Sequence, residues 1–191
     1  MGLFSIMYAQ VMQWSRHKYA VYWLALVSFT ESSCFLVPPD VMLAPMTLAK
    51  PEKAWFYAGL TTATSVLGGL LGYVIGMTAF RFIEPWLGSL GYMNAYHLAE
   101  QWFAQWGFWA IFLAGFTPIP YKVFTIASGV AGMAVVPFII GSTIGRGMRF
   151  FLVAGIMRWG GADLEAALRI WIDRIGWAMV ILLVTGYLIF A

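Results

Sequence analysis

Four long apolar stretches, near residues 19–49, 54–83, 103–159 and 170–191, alternate with short polar segments along this chain. A helix crossing a bilayer needs roughly 20 apolar residues, so the third stretch is too long for one crossing and must fold back on itself. The first stretch is interrupted by Pro38-Pro39-Asp40 and then by Pro45, the third by Pro118-Ile119-Pro120 and again by Pro137. Proline inside a helix removes a hydrogen bond and clashes with the preceding turn. Breaks of this kind at membrane depth predict discontinuous helices, whose freed backbone groups must be buried in protein or line a wet cavity. The pattern predicts an all-α polytopic membrane protein with two re-entrant, broken helical hairpins, each followed by a transmembrane helix, and a C-terminal transmembrane helix. The expected elements are a hairpin over 19–50, a span over 54–83, an interfacial helix over 92–106, a hairpin over 103–133, a span over 135–159 and the C-terminal helix over 170–191.

The two halves also share short motifs. Phe35-Leu36-Val37-Pro38-Pro39-Asp40-Val41 is echoed by Phe116-Thr117-Pro118-Ile119-Pro120-Tyr121-Lys122-Val123, and Ser65-Val66-Leu67-Gly68-Gly69 by Ser142-Thr143-Ile144-Gly145-Arg146-Gly147. Broken hydrophobic segments in corresponding positions of two halves point to an inverted repeat of the transporter type, with the binding site at the breaks. Gly68, Gly72 and Gly76 repeat at four-residue spacing, which lets helix backbones approach closely in lipid. Residues 1–18 read as an amphipathic interfacial segment, with Leu3, Phe4, Met7, Val11 and Trp14 as its apolar side.

Composition sharpens the class. Apolar residues make up 62% and charged residues 10%, against about a quarter charged in ordinary soluble domains. A soluble fold of this size could not hide so much apolar surface. Trp14, Trp23, Trp55, Trp86, Trp106 and Trp159 sit near segment ends, where amphipathic rings favour the membrane–water boundary. The net charge of +3 gives no reason to expect a nucleic-acid partner, and the lone Cys34 allows no internal disulfide. The N-terminus lacks a charged region ahead of its apolar stretch, so it does not read as a cleavable signal peptide. With both hairpins re-entrant, Arg16, Lys18, Lys50, Lys53, Arg158, Arg169 and Arg174 fall on one face and Arg81 alone on the other. That bias predicts a multi-pass protein of the inner (cytoplasmic) membrane with its N-terminus in the cytoplasm.

Five ionisable residues lie inside the apolar stretches: Glu31, Asp40, Lys122, Arg146 and Arg149. Left unpaired at the bilayer centre each would cost roughly 2.5–3.5 kcal/mol on insertion scales. Two acids in the first half and three bases in the second predict that the hairpins meet, acids opposite bases, around a polar cavity. Asp40 follows Pro38-Pro39 and is placed to N-cap a helix starting at Val41. Glu31 is read either as a structural ion-pair partner or as a carboxylate that exchanges protons. Arg146 and Arg149, three apart, share a helix face; they either balance the acids or form a guanidinium fork for a phosphate group. No haem-ligating His pair, zinc spacing or phosphate-cradling glycine loop is present, so neither metal nor cofactor is expected. A serine hydrolase using Ser128 beside Lys122 is the remaining enzymatic reading, and a non-enzymatic role is expected over it.

At these residues the sequence resembles the DedA family, also described as SNARE-associated or VTT domain membrane proteins. Phe29-Thr30-Glu31-Ser32-Ser33, Val37-Pro38-Pro39-Asp40 and Gly68-Gly69-Leu70-Leu71-Gly72 carry the resemblance in the first half. Gly115-Phe116-Thr117-Pro118-Ile119-Pro120-Tyr121-Lys122 through Ser128-Gly129 resembles the second hairpin, and Gly145-Arg146-Gly147-Met148-Arg149-Phe150 the glycine–basic run of a YqaA-like branch. The resemblance implies a flippase or scramblase for a phosphate-bearing lipid, a phospholipid or a polyprenyl phosphate, with protons as candidate coupling ions and an oligomer as a possible state. It implies that Glu31 and Asp40 are the essential acids. The better-studied branch carries two arginines flanking the second hairpin's proline, where this chain has Gly115 and Tyr121. The expected lipid site is therefore Glu31, Asp40, Lys122, Arg146 and Arg149, set at the breaks of Pro38, Pro39, Pro118 and Pro120. The rival expectation is a non-transporting membrane-assembly or lipid-organising factor whose buried charges are structural.

Overall fold

The computed structural model describes residues 19–33, 38–90, 93–117 and 120–160. The segments 1–18 and 170–191, and Pro118, lie outside the described residues. All regular structure among the described residues is helical: α1 (Ala20–Ser33), α2 (Asp40–Ala49), α3 (Ala54–Ser89), α4 (Met93–Phe116), α5 (Tyr121–Val130) and α6 (Val135–Gly160). A single 3-10 turn, Pro51–Lys53, leads into α3.

Two segments, Pro51–Phe82 and Val135–Gly160, are long and apolar enough to cross a membrane. At 1.5 Å per residue α1 and α2 are about 21 and 15 Å long, short of the roughly 30 Å hydrocarbon core. Large apolar side chains such as Trp23, Phe56, Leu67, Trp109 and Leu152 cover the outer surface, as suits a chain solvated by lipid.

Three sequence expectations change. Pro45 does not break α2; it is buried within that helix, and Pro85 likewise sits inside α3. Pro137 falls in the first turn of α6, where a missing N–H costs no helical bond. The interfacial helix expected over 92–106 and the arm expected from 103 are one continuous helix, α4, because no proline or paired glycine intervenes before Thr117-Pro118.

Helix directions follow from the contact register. The Ser28 hydroxyl donates to the Thr61 carbonyl, and Ser32 meets Ser65 at 2.7 Å. Residue numbers advance together, so α1 and α3 run parallel, with α2 returning between them. In the second half Gly141 lies against Phe108 and Gly145 against Phe112, so α4 and α6 also run parallel, with α5 between. The equivalence extends to detail. A side chain at Gly68 would collide with the Phe29 carbonyl, and one at Gly145 with the Phe112 carbonyl; each phenylalanine sits four residues before the last residue of its helix.

The return helix α5 packs on α3 through a seam of small residues. A Cβ at Gly76 would strike the Ile126 carbonyl, and a Cβ at Gly129 the Tyr73 carbonyl, so each backbone fills the space the other leaves. The Tyr73 hydroxyl closes the far end of this seam by donating to the Met133 carbonyl at 2.6 Å. One apolar cluster joins α1, α2, α3 and α6 through Leu24, Leu43, Met46, Tyr57, Phe150 and Ala154; a second joins α3, α4, α5 and α6 around Tyr73, Ile111, Tyr121 and Phe138. Gly76→Val and Gly129→Val are each expected to destabilise the protein by about 3 kcal/mol or more, the upper range for overpacking. Gly59→Ala, with open space around its position, is expected to leave the melting midpoint in detergent unchanged or raised. A melt in which all three variants matched the wild type would remove the seam from the account of stability.

Candidate functional site

The first break presents both acids. α1 ends two residues after Glu31, and α2 starts at Asp40 itself, with Pro39 in the N-cap position. The Asp40 side chain makes no capping bond, because the first α2 amides are taken by the Pro38 and Pro39 carbonyls. This corrects the expectation that Asp40 caps a helix from Val41. Its carboxylate is left available and takes a partner across the molecule.

Both partners come from one face of α6. Arg146 pairs with Glu31 and Arg149 with Asp40, the latter at 2.5 Å. The two pairs differ in character. Arg146 is 2% exposed and donates from Nε to Ser65 at 2.6 Å and from Nη2 to Ser32 at 3.1 Å, besides Glu31. Its guanidinium carbon lies 4.8 Å from the ring centroids of both Tyr121 and Phe150, a cation over two aromatic faces. The Tyr121 hydroxyl in turn donates to Ser142. Arg149 is looser, 20% exposed, with Nη2 on Asp40 and Nη1 donating to the Thr117 carbonyl at 2.9 Å. That carbonyl immediately precedes the second break, so Arg149 touches both breaks at once. One carboxylate oxygen of Asp40, Oδ1, is buried without a hydrogen-bond partner.

The structure thus brings together four of the five predicted charges as two ion pairs. Lys122, half-buried in the first turn of α5, makes no ion pair among the described residues. Of the break prolines, Pro38 and Pro120 are exposed and Pro39 is buried. Ser128 donates to the Phe124 carbonyl. Sequence reasoning missed Ser32, Ser65, Tyr121 and Phe150 as partners of Arg146. A signal existed: Gly115 and Tyr121 stand where the resemblance places the two arginines of the better-studied branch, and both lie beside Arg146. A Cβ at Gly115 would lie 3.2 Å from the Arg146 backbone nitrogen and 3.4 Å from its Cγ. The bare glycine lets the α6 backbone and the base of the Arg146 side chain approach, and the Tyr121 ring lies against the guanidinium.

Taken chemically, the inner pair is buried and braced by two serine hydroxyls, whereas the outer pair is partly open and carries an unmatched acceptor. Removing one partner of a buried pair leaves the other charge uncompensated, at about 3–5 kcal/mol. Arg146→Met is expected to destabilise the protein by that amount, and Glu31→Met combined with Arg146→Met to recover most of it. A double-mutant cycle on thermal unfolding in detergent measures the coupling; additive losses would mean that the pair does not interact.

The VTT domain matches residues 37–158 of the chain. An uncharacterized protein of Haemophilus influenzae is 47% identical over 189 residues, covering 99% of this chain and 98% of that protein. An uncharacterized protein of Histophilus somni is 43% identical over 189 residues, covering 99% of each. No solved structure matches.

Proposed function

We propose, from the premise that the chain belongs to the VTT domain family of membrane proteins, that it moves a phosphate-bearing lipid across or within the inner (cytoplasmic) membrane as a flippase or scramblase. In this reading it is a carrier and not an enzyme, multi-pass, with its N-terminus in the cytoplasm. The observation that carries the reading is the Arg149–Asp40 pair, which joins the two chain breaks while staying partly open. Arginine binds carboxylate and phosphate with the same fork of donors, so a lipid phosphate can take the place that Asp40 holds. Arg149 and Lys122 would hold the head group, with Arg146 fixed behind them, while Asp40 and Glu31 are the groups through which protons could be coupled. The equivalent contacts of Gly68 with Phe29 and Gly145 with Phe112 support two hairpins in inverted repeat, an arrangement in which transporters bind substrate between the halves.

Coupling further requires two conformations that differ in substrate affinity. The second reading, a non-transporting lipid-organising factor, draws on the burial of Arg146 and its serine and carboxylate partners, which match a structural charge. Reconstitution into liposomes with fluorescent phospholipids, with and without a pH gradient, separates the two. Transbilayer movement is expected for the wild type and is expected to fall at least tenfold in Asp40→Asn and Arg149→Ala, each still folded by its melting curve. Folded variants that move lipid at the wild-type rate would overturn the transport site. Variants that fail to fold would favour the structural reading.

A further inference from the structure

We infer, resting on the lipid-transport reading, that α2 is the moving arm of the site: the Arg149–Asp40 pair latches it to α6, and a lipid phosphate that takes the guanidinium releases it, while α5 stays seated on α3. The two return helices have the same length, ten residues each over Asp40–Ala49 and Tyr121–Val130, yet they are held differently. α5 is locked through its backbone. The Gly76 and Gly129 contacts join it to α3, a Cβ at Gly72 would press on Thr125, and the Tyr121 hydroxyl donates to Ser142 on α6. Two further tyrosines close its C-terminal end. Tyr96 of α4 donates to the Val130 carbonyl at 3.2 Å, and Tyr73 of α3 to the Met133 carbonyl just beyond.

α2 has no such ties among the described residues. No described glycine brings another backbone against it, and its one side-chain bond to another helix is that of Asp40 with Arg149. The rest of its hold is apolar, through Leu43 and Met46, and such contacts carry no fixed direction. Its own ladder is incomplete, because Pro45 lacks the N–H that would meet the Val41 carbonyl in a regular helix. Both buried side-chain polar atoms without a partner among the described residues also lie on α2, Asp40 Oδ1 and Thr47 Oγ1. Thr47 and Ser128 stand at the same place in the two helices, seven residues past the first, and both are fully buried. Ser128 donates to the Phe124 carbonyl, whereas Thr47 has no partner among the described residues. An orphaned polar atom penalises the packing that buries it. α2 is thus seated at a cost that movement relieves, and a single ion pair opposes that movement.

The test is amide hydrogen exchange of the purified full-length protein in nonionic detergent, read by mass spectrometry on peptides from 40–49 and 121–130, without and with added phosphatidylglycerol. Exchange reports local opening, so α2 is expected to exchange roughly tenfold faster than α5. Phosphatidylglycerol is expected to raise the α2 rate about threefold further and to leave α5 unchanged, since a ligand shifts the equilibrium toward the state it prefers. Arg149→Ala is expected to reach the raised α2 rate without lipid and to lose the response to it. Thr47→Val keeps the shape of the side chain and removes the orphaned hydroxyl. It is expected to slow both α2 exchange and lipid movement in liposomes, with α5 exchange unchanged. Equal rates in the two helices, or wild-type α2 exchange in folded Arg149→Ala, would overturn the inference while leaving lipid transport standing. An α2 rate that ignores phosphatidylglycerol, in a protein that moves this lipid in liposomes, would do the same. Exchange in α2 that depends on Arg149, in a protein that moves no lipid, would instead overturn the transport reading and leave the latch.

Discussion

Two carboxylates on either side of one chain break, set among apolar helices, impose a requirement that the rest of the molecule is arranged to meet. Each must be neutralised without drawing water into the fold. α6 supplies both cations from positions three apart, which the helical repeat places on one face, so a single element reaches the acid before the break and the acid after it. To bring that face to the first break, α6 must pack against α1 and α2 through Phe150 and Ala154 while keeping Gly141 and Gly145 against α4. The hydrophobic contacts and the ion pairs thus specify the same placement.

The inner pair is buttressed far beyond electrostatic need. Ser32 and Ser65, bonded to each other across α1 and α3, both accept from Arg146, and its guanidinium lies over the rings of Tyr121 and Phe150. The guanidinium is therefore a junction for α1, α3, α5 and α6. Hydroxyls and aromatic faces do this without adding further ions, by accepting from the guanidinium and lying against its charge.

Much of this was legible in the sequence, and the reasons differ from residue to residue. Glu31, Asp40, Arg146 and Arg149 stood out because charge inside an apolar run is expensive, and opposite signs in the two halves implied that they meet. Which acid takes which base was not legible, because the choice depends on how α6 lies across the first break. Asp40 misled for a local reason: a residue after Pro-Pro looks like a helix cap, yet the proline carbonyls at 38 and 39 already serve the first amides. Tyr121 and Phe150 were hidden because aromatic residues in a lipid-solvated chain are ordinarily core or surface. The boundary between the expected helix 92–106 and the arm from 103 was drawn from amphipathicity, which changes along α4 without any break in the backbone.

Arg149 holds the carbonyl before the second break and the carboxylate after the first with its two terminal nitrogens. Two segments joined by one fastener cannot shift independently: whatever pulls the guanidinium from Asp40 also disturbs its grip on Thr117, and the reverse. Beside the buried Arg146 pair and the α3–α5 seam, this one side chain is a mechanical linkage that keeps the two breaks in step.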